Sequence, residues 1–207
     1  MLKLDSKTYE LLQKESNAKS TKAYGKWYEF SQALFEKQPL DEMEDFWKLV
    51  AFAYSWMPTI PNINTELLEG KKGEQLLEVL KALKKNQAIN REELLKTLVP
   101  VVNNSLVGTS KVLHFIAPDL VPIIDSRVQR GWRKFFFENH PDKYEVKKLP
   151  SPNESMNEKH IEHYLYYWKT LENWKANIQQ HISIRDIEIC FYKIGKKPEG
   201  KKQNTTA

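Results

Sequence analysis

One stretch, Leu106 to Trp132, with Lys134 just beyond it, holds three kinds of side chain that chemistry can use. Lys111 supplies an amine, a nucleophile once it has lost its proton. Asp125 supplies a carboxylate, which can face a developing positive charge or move a proton. Arg127, Arg130 and Lys134 recur at spacings that put three cations on one helix face, the pattern of a phosphate-contacting surface or of a solvated helix side. Gly108-Thr109-Ser110 stands just before the lysine and reads as a tight turn running into a helix. In that reading Gly108 takes a positive φ, Thr109 or Ser110 caps the helix, and the amides of all three can hold a phosphate. The run is not a Gly-x4-Gly-Lys-Ser/Thr nucleotide loop. Each residue also has a structural reading: Asp125-Ser126 is an N-cap signal, and Lys111 reads equally as an exposed helix lysine.

The order turn, Lys, Pro-bounded loop, Asp, helix resembles the helix-hairpin-helix DNA glycosylase superfamily, which includes endonuclease III and the 8-oxoguanine glycosylases. Gly108 looks like a hairpin glycine, Lys111 like the lysine at the start of the following helix, and Asp125 in Pro-Ile-Ile-Asp-Ser-Arg-Val like the downstream aspartate. The match covers about a fifth of the chain clearly. The resemblance implies a base-excision N-glycosylase or lyase. Asp125 would stabilise the oxocarbenium charge or activate a nucleophile, and Lys111 would form a Schiff base with the sugar. Gly108, Thr109, Ser110, Arg127, Arg130 and Lys134 would contact duplex DNA, with aromatic groups walling a pocket for a flipped base.

The elements that must position these residues read as helices. The periodicity predicts helix over 4–37 and over 42–56, the latter apolar nearly all round and so the expected central buried helix, with Asp41 as its cap. Further helices are expected over 73–86, over 91–99 behind Asn90, over 125–139 and over 157–180. A last one opens at the Ser183-Ile-Arg-Asp186 capping box and ends at Gly195. Residues 140–157 hold Pro141, Pro150 and Pro152 without periodicity and read as a long surface loop. Tyr54 and Trp56, just before Pro58, are candidates for a pocket wall. Asn-Gly and Asp-Gly hairpin signals are absent, so the fold class is all-α. The expectation is a single-domain multi-helix bundle over 1–195, with a helix-hairpin-helix-like element at about 91–117 and a disordered basic tail over 196–207.

Composition bounds the function. The chain has 207 residues and a formal charge of +5. The tail holds four lysines against Glu199, a net +3, which leaves about +2 for the body. Net charge therefore does not argue for nucleic acid, and a local patch must carry that case. No apolar run is long enough for a membrane span, and the N-terminus lacks the apolar core of a signal peptide. The single cysteine, Cys190, excludes an intrachain disulfide and a four-cysteine iron–sulfur cluster, and fits a reducing cytoplasm. His160 and His163 share a helix face without a third ligand at a usual spacing, so neither a metal nor a cofactor is expected. His114 reads as a satisfied core histidine. Three expectations follow: a cytoplasmic DNA-binding glycosylase or lyase with duplex DNA, damaged or not, as partner; a non-catalytic DNA-binding relative that keeps the hairpin without the chemistry; or a non-catalytic helical module with a protein partner, for example in a defence or regulatory system.

Overall fold

The computed structural model describes residues 3–17, 25–57, 59–149 and 158–196. Among these the chain is all-helical. The helices are α1 (Ser6–Ser16), α2 (Gly25–Lys37), α3 (Met43–Ser55), α4 (Lys71–Lys84), α5 (Arg91–Val101), α6 (Leu106–Ile116), α7 (Ser126–Arg133), α8 (Glu158–Ala176) and α9 (Ile184–Ile194). A 3-10 turn covers Thr65–Leu68, and a π turn, Lys134–Asn139, continues α7. One strand-like bridge pairs Ile63 with Val102. The buried apolar side chains form one connected cluster that draws on every helix. No helix among the described residues is long and apolar enough to cross a membrane. The tail from residue 197 lies outside the described residues.

The central helix is α6, not α3. Every α6 residue but Val107 and Lys111 is buried, and α2, α3, α4 and α5 all pack on it. α3 buries one stripe, Phe46, Leu49, Val50, Ala53 and Tyr54, while Ala51 and Ser55 face out. Its sequence is apolar all round because Trp47 and Phe52, half-buried, pack along its edges. Asp41 does not cap it: the cap position is Glu42, and the Asp45 carboxylate instead accepts the Asp41 N–H at 3.1 Å.

The turn before α6 also differs from the sequence reading. It lies at Val102–Ser105, where Asn103 and Asn104 take the left-handed conformation (φ 58° and 45°). Asn is the non-glycine residue best suited to that region, so no glycine is required. Ser105 caps α6, its hydroxyl accepting the Gly108 N–H at 3.1 Å. Gly108 therefore sits inside the helix. A Cβ there would lie 2.2 Å from the Tyr54 hydroxyl, so glycine is needed for the close approach of α3 and α6. α5 and α6 are joined by this short turn, which lies upstream of the expected glycine.

The closest packing in the fold joins α7 to α9. A Cβ on Gly131 would meet the Phe191 carbonyl oxygen at 1.9 Å, and one on Gly195 the Arg127 carbonyl oxygen at 1.8 Å. The π turn then swings Phe135 and Phe136 into a cluster with Trp132, Tyr144, Trp174 and Phe191. Residues 140–149 are held down rather than free. Tyr144 is buried, the Trp132 indole N–H donates to Lys147 O at 3.0 Å, and the Tyr166 hydroxyl accepts the Lys147 N–H at 3.0 Å.

Candidate active site

Between α6 and α7 the chain runs through Val121–Asp125 without a sheet partner, buried from Val121 to Ile124. A buried segment outside helix and sheet must find partners for its backbone groups. Here side chains of three helices supply them. His114 on α6 meets Val121 O through Nδ1 at 2.6 Å. The Tyr164 hydroxyl on α8 donates to Pro122 O at 2.7 Å. The Glu188 carboxylate on α9 accepts the Ile123 N–H at 2.8 Å, and the Ser110 hydroxyl on α6 accepts the Ile124 N–H at 3.2 Å. This clamp fixes where Asp125 emerges. Since Val121 O can only accept, His114 carries its proton on Nδ1, and its Nε2 accepts from the Tyr28 hydroxyl at 2.7 Å. Burial and then the Arg185 charge push His114 down to about 3, so it is neutral, the satisfied core histidine that its sequence position suggests.

Asp125 caps α7: one carboxylate oxygen accepts the Arg127 and Val128 amides at 2.8 and 2.9 Å. It also lines a cavity of about 230 Å³, and Lys111 lines the same cavity from α6. The two residues singled out by the resemblance, fourteen apart in sequence, thus reach one space. Tyr28, Trp56, Phe115 and Tyr192 wall it with aromatic surface, and Ile123, Arg127, Arg185 and Glu188 complete it. Trp56 is the pocket aromatic that its place before Pro58 suggested. Tyr54 instead packs on Gly108.

Lys111 is half-buried. Burial pushes its amine below the ordinary lysine range, and Arg185 and Arg127 push the same way, while Asp125 and Glu188 pull it back. A lysine so placed is neutral more often than a surface lysine, which is what an amine nucleophile requires. Glu188 is 1% exposed and pairs with Arg185, whose guanidinium lies 5.1 Å over the Tyr28 ring. Burial raises Glu188 to about 7, against the opposing pull of Arg185 and the Ile123 amide.

Three expected site residues are corrected. Gly108, Thr109 and Ser110 do not form a turn and do not present amides to a phosphate. All three are buried in α6, the Gly108 and Thr109 amides are taken by Ser105, and the Ser110 hydroxyl is spent on Val107 O and the Ile124 amide. The three cations divide. Arg127 is exposed at the pocket, stacked on Tyr192 and hydrogen-bonded to its hydroxyl. Lys134 is exposed on the π turn. Arg130 is half-buried and its Nε donates to Gly195 O at 3.1 Å, closing the end of α9.

Sequence reasoning missed Tyr28, Tyr192, Arg185 and Glu188 as pocket residues. The last two carried a signal: a charged pair three apart, set among Ile184, Ile187 and Ile189 on a helix otherwise built for burial. Among the described residues no three His, Cys, Asp or Glu side chains gather as a metal site would need. Comparison of the chain with models of known families, with curated proteins and with solved structures finds no match.

Proposed function

We propose that the protein is a DNA-binding base-excision enzyme that takes a nucleobase into the pocket between α6, α7 and α9 and attacks its sugar with the Lys111 amine. The observation that carries this reading is the convergence of Lys111 and Asp125 in one aromatic-walled cavity. The amine is half-buried, makes no direct ion pair among the described residues, and is pushed toward its neutral form. Asp125, one oxygen of which accepts two backbone amides, faces the positive charge that grows at the sugar carbon as the glycosidic bond breaks. The aromatic walls give a flipped base faces to stack on. Arg127 at the pocket and Lys134 along the same helix offer contacts to flanking phosphates. The resemblance noted in the sequence supports the same reaction.

DNA binding is tested by the dependence of affinity on salt. Binding should weaken steeply as salt rises. Arg127→Glu with Lys134→Glu should lower the affinity and flatten the slope by about 2, close to one per lost phosphate contact. Absence of binding at low salt would overturn the reading.

One observation favours a second reading. Trp27, Phe30 and Leu34 stand 58–61% exposed along one face of α2, an apolar stripe suited to a protein partner. Co-purification of a partner that Trp27→Ala with Phe30→Ala releases, together with no DNA affinity, would put that reading first.

A further inference from the structure

The two faces of α2 meet different surroundings. The inward face places Tyr28 in the pocket wall. The outward face carries Trp27, Phe30 and Leu34, three large apolar side chains left 58–61% exposed. A lone exposed apolar group means little, but three at spacings of three and four form one strip. Helical spacing also sets what borders the strip. Lys26 stands four residues before Phe30 and Lys37 three after Leu34, so each neighbours the strip, and both are exposed. Glu29 and Glu36 fall beyond this lysine row, on the side away from the strip. The strip is continuous with the pocket. The Trp27 ring lies 6.3 Å from the Trp56 ring at an interplanar angle of 30°, and 6.3 Å from Phe52. Trp56 in turn meets Tyr28 edge-on at 6.2 Å, and both wall the cavity. One aromatic surface thus runs from the cavity over its edge onto the outside of α2.

Aromatic faces bordered by cations match unpaired nucleobases on a phosphate backbone. Every base has a π face, so stacking tolerates any sequence, whereas in a duplex those faces are covered by neighbouring base pairs. A protein helix would fill an apolar strip equally, but it gains nothing from rings that continue into a pocket able to stack a base. The near-neutral body points the same way. About +2 is little charge for holding a duplex by its phosphates, and stacking draws affinity from rings instead. We propose that the outward face of α2 is a stacking platform for the unpaired bases beside the one held in the pocket, so that the preferred substrate is a single-stranded or locally unpaired DNA strand. The proposal rests on the base-excision reading given above and narrows its substrate. Trp27 takes the base next to the pocket and Phe30 the following one, with Lys26 and Lys37 beside the linking phosphates.

The test compares a short oligodeoxynucleotide, single-stranded and paired with its complement, for wild type and two double variants. Trp27→Tyr with Phe30→Tyr keeps the rings. Trp27→Leu with Phe30→Leu keeps an apolar strip without a π face. Wild type should bind the strand about tenfold or more tighter than the duplex, and the tyrosine pair should match it. The leucine pair should bind the strand about 10- to 100-fold more weakly, by the same factor at every salt concentration, because no charge is lost. A duplex bound as tightly as the strand, or a leucine pair that binds the strand like wild type, overturns the proposal. If borohydride trapping on an abasic site persists in that case, the base-excision reading still stands. A wild type that binds neither form and does not trap overturns that reading itself. A protein partner that the leucine pair retains, with no strand affinity, assigns the face to that partner and overturns the proposal. If the leucine pair does not fold, Phe30→Leu decides alone: at a ring 60% exposed it should keep the fold and still lose about tenfold in strand affinity. Unchanged affinity contradicts the platform.

Discussion

At the scale of single residues, the same side chain often serves structure and site, and substitution can separate the two. Asp125 caps α7 through one oxygen and lines the cavity. Asn caps about as well as Asp, whereas Ala loses about 1 kcal/mol. Asp125→Asn should therefore keep the melting temperature close to wild type while abolishing base release. Asp125→Ala should lose both, and thermal melts with activity assays on the pair check this. Ser110 offers the converse case, since it serves the backbone alone. Ser110→Ala leaves the buried Ile124 N–H without its acceptor and should cost about 1–3 kcal/mol in denaturant unfolding. Lys111 and Asp125 were singled out by the resemblance, as an amine and a carboxylate flanking a Pro-bounded loop, and the fold brings both to one cavity. Gly108 was misread for a physical reason: a glycine marks either a positive φ or a close approach, and only the fold shows that Tyr54 lies against it.

At the scale of elements, helices were readable wherever apolar periodicity met a cap. Asn90, Asp125 and Ser183 each cap the helix their position announced, and Ser183 with Asp186 forms the expected box. Less legible was which helix sits at the centre, because burial depends on neighbours rather than on composition. α6 is short and carries Thr109 and Ser110, polar residues that read as a turn and a helix cap, yet both are fully buried. The segment Val121–Asp125 likewise carries no strand partner, and its clamp by His114, Tyr164, Glu188 and Ser110 joins residues as far as 65 apart. The joint of α7 and α9 gives a test at this scale. Gly131→Ala puts a methyl group into the Phe191 carbonyl and should cost about 3 kcal/mol, the upper end for overpacking. Because α9 carries Arg185 and Glu188, the same variant should also loosen the pocket, seen as faster amide exchange at Ile123. Unchanged stability would mean the helices separate without penalty.

At the scale of the whole molecule, two buried groups bend stability against pH in opposite senses. His114 is pushed down from 6.5 to about 3, so its contribution is present above 6.5 and is lost as pH falls toward 3, where the unfolded chain takes up a proton first. Glu188 is raised from 4.5 to about 7, so its contribution is present below 4.5 and is lost as pH rises through 7. Between 4.5 and 6.5 the two slopes oppose each other. Glu188→Gln removes one of them, so the variant should gain on wild type steadily as pH rises from 4.5 to 7, measured by urea unfolding at several pH values. A constant difference would mean that Glu188 titrates alike in both states. The total charge of +5 said little about this balance, since it turns on two buried side chains, His114 and Glu188.

The most direct test of the central claim, that the Lys111 amine faces the same space as Asp125 and attacks a sugar there, is reductive trapping. Wild-type protein is mixed with an abasic-site duplex and borohydride, and the cross-linked residue is located by mass spectrometry. The expected result is a single adduct on Lys111 that Lys111→Met abolishes. An adduct on another lysine, or none at all, would contradict the account.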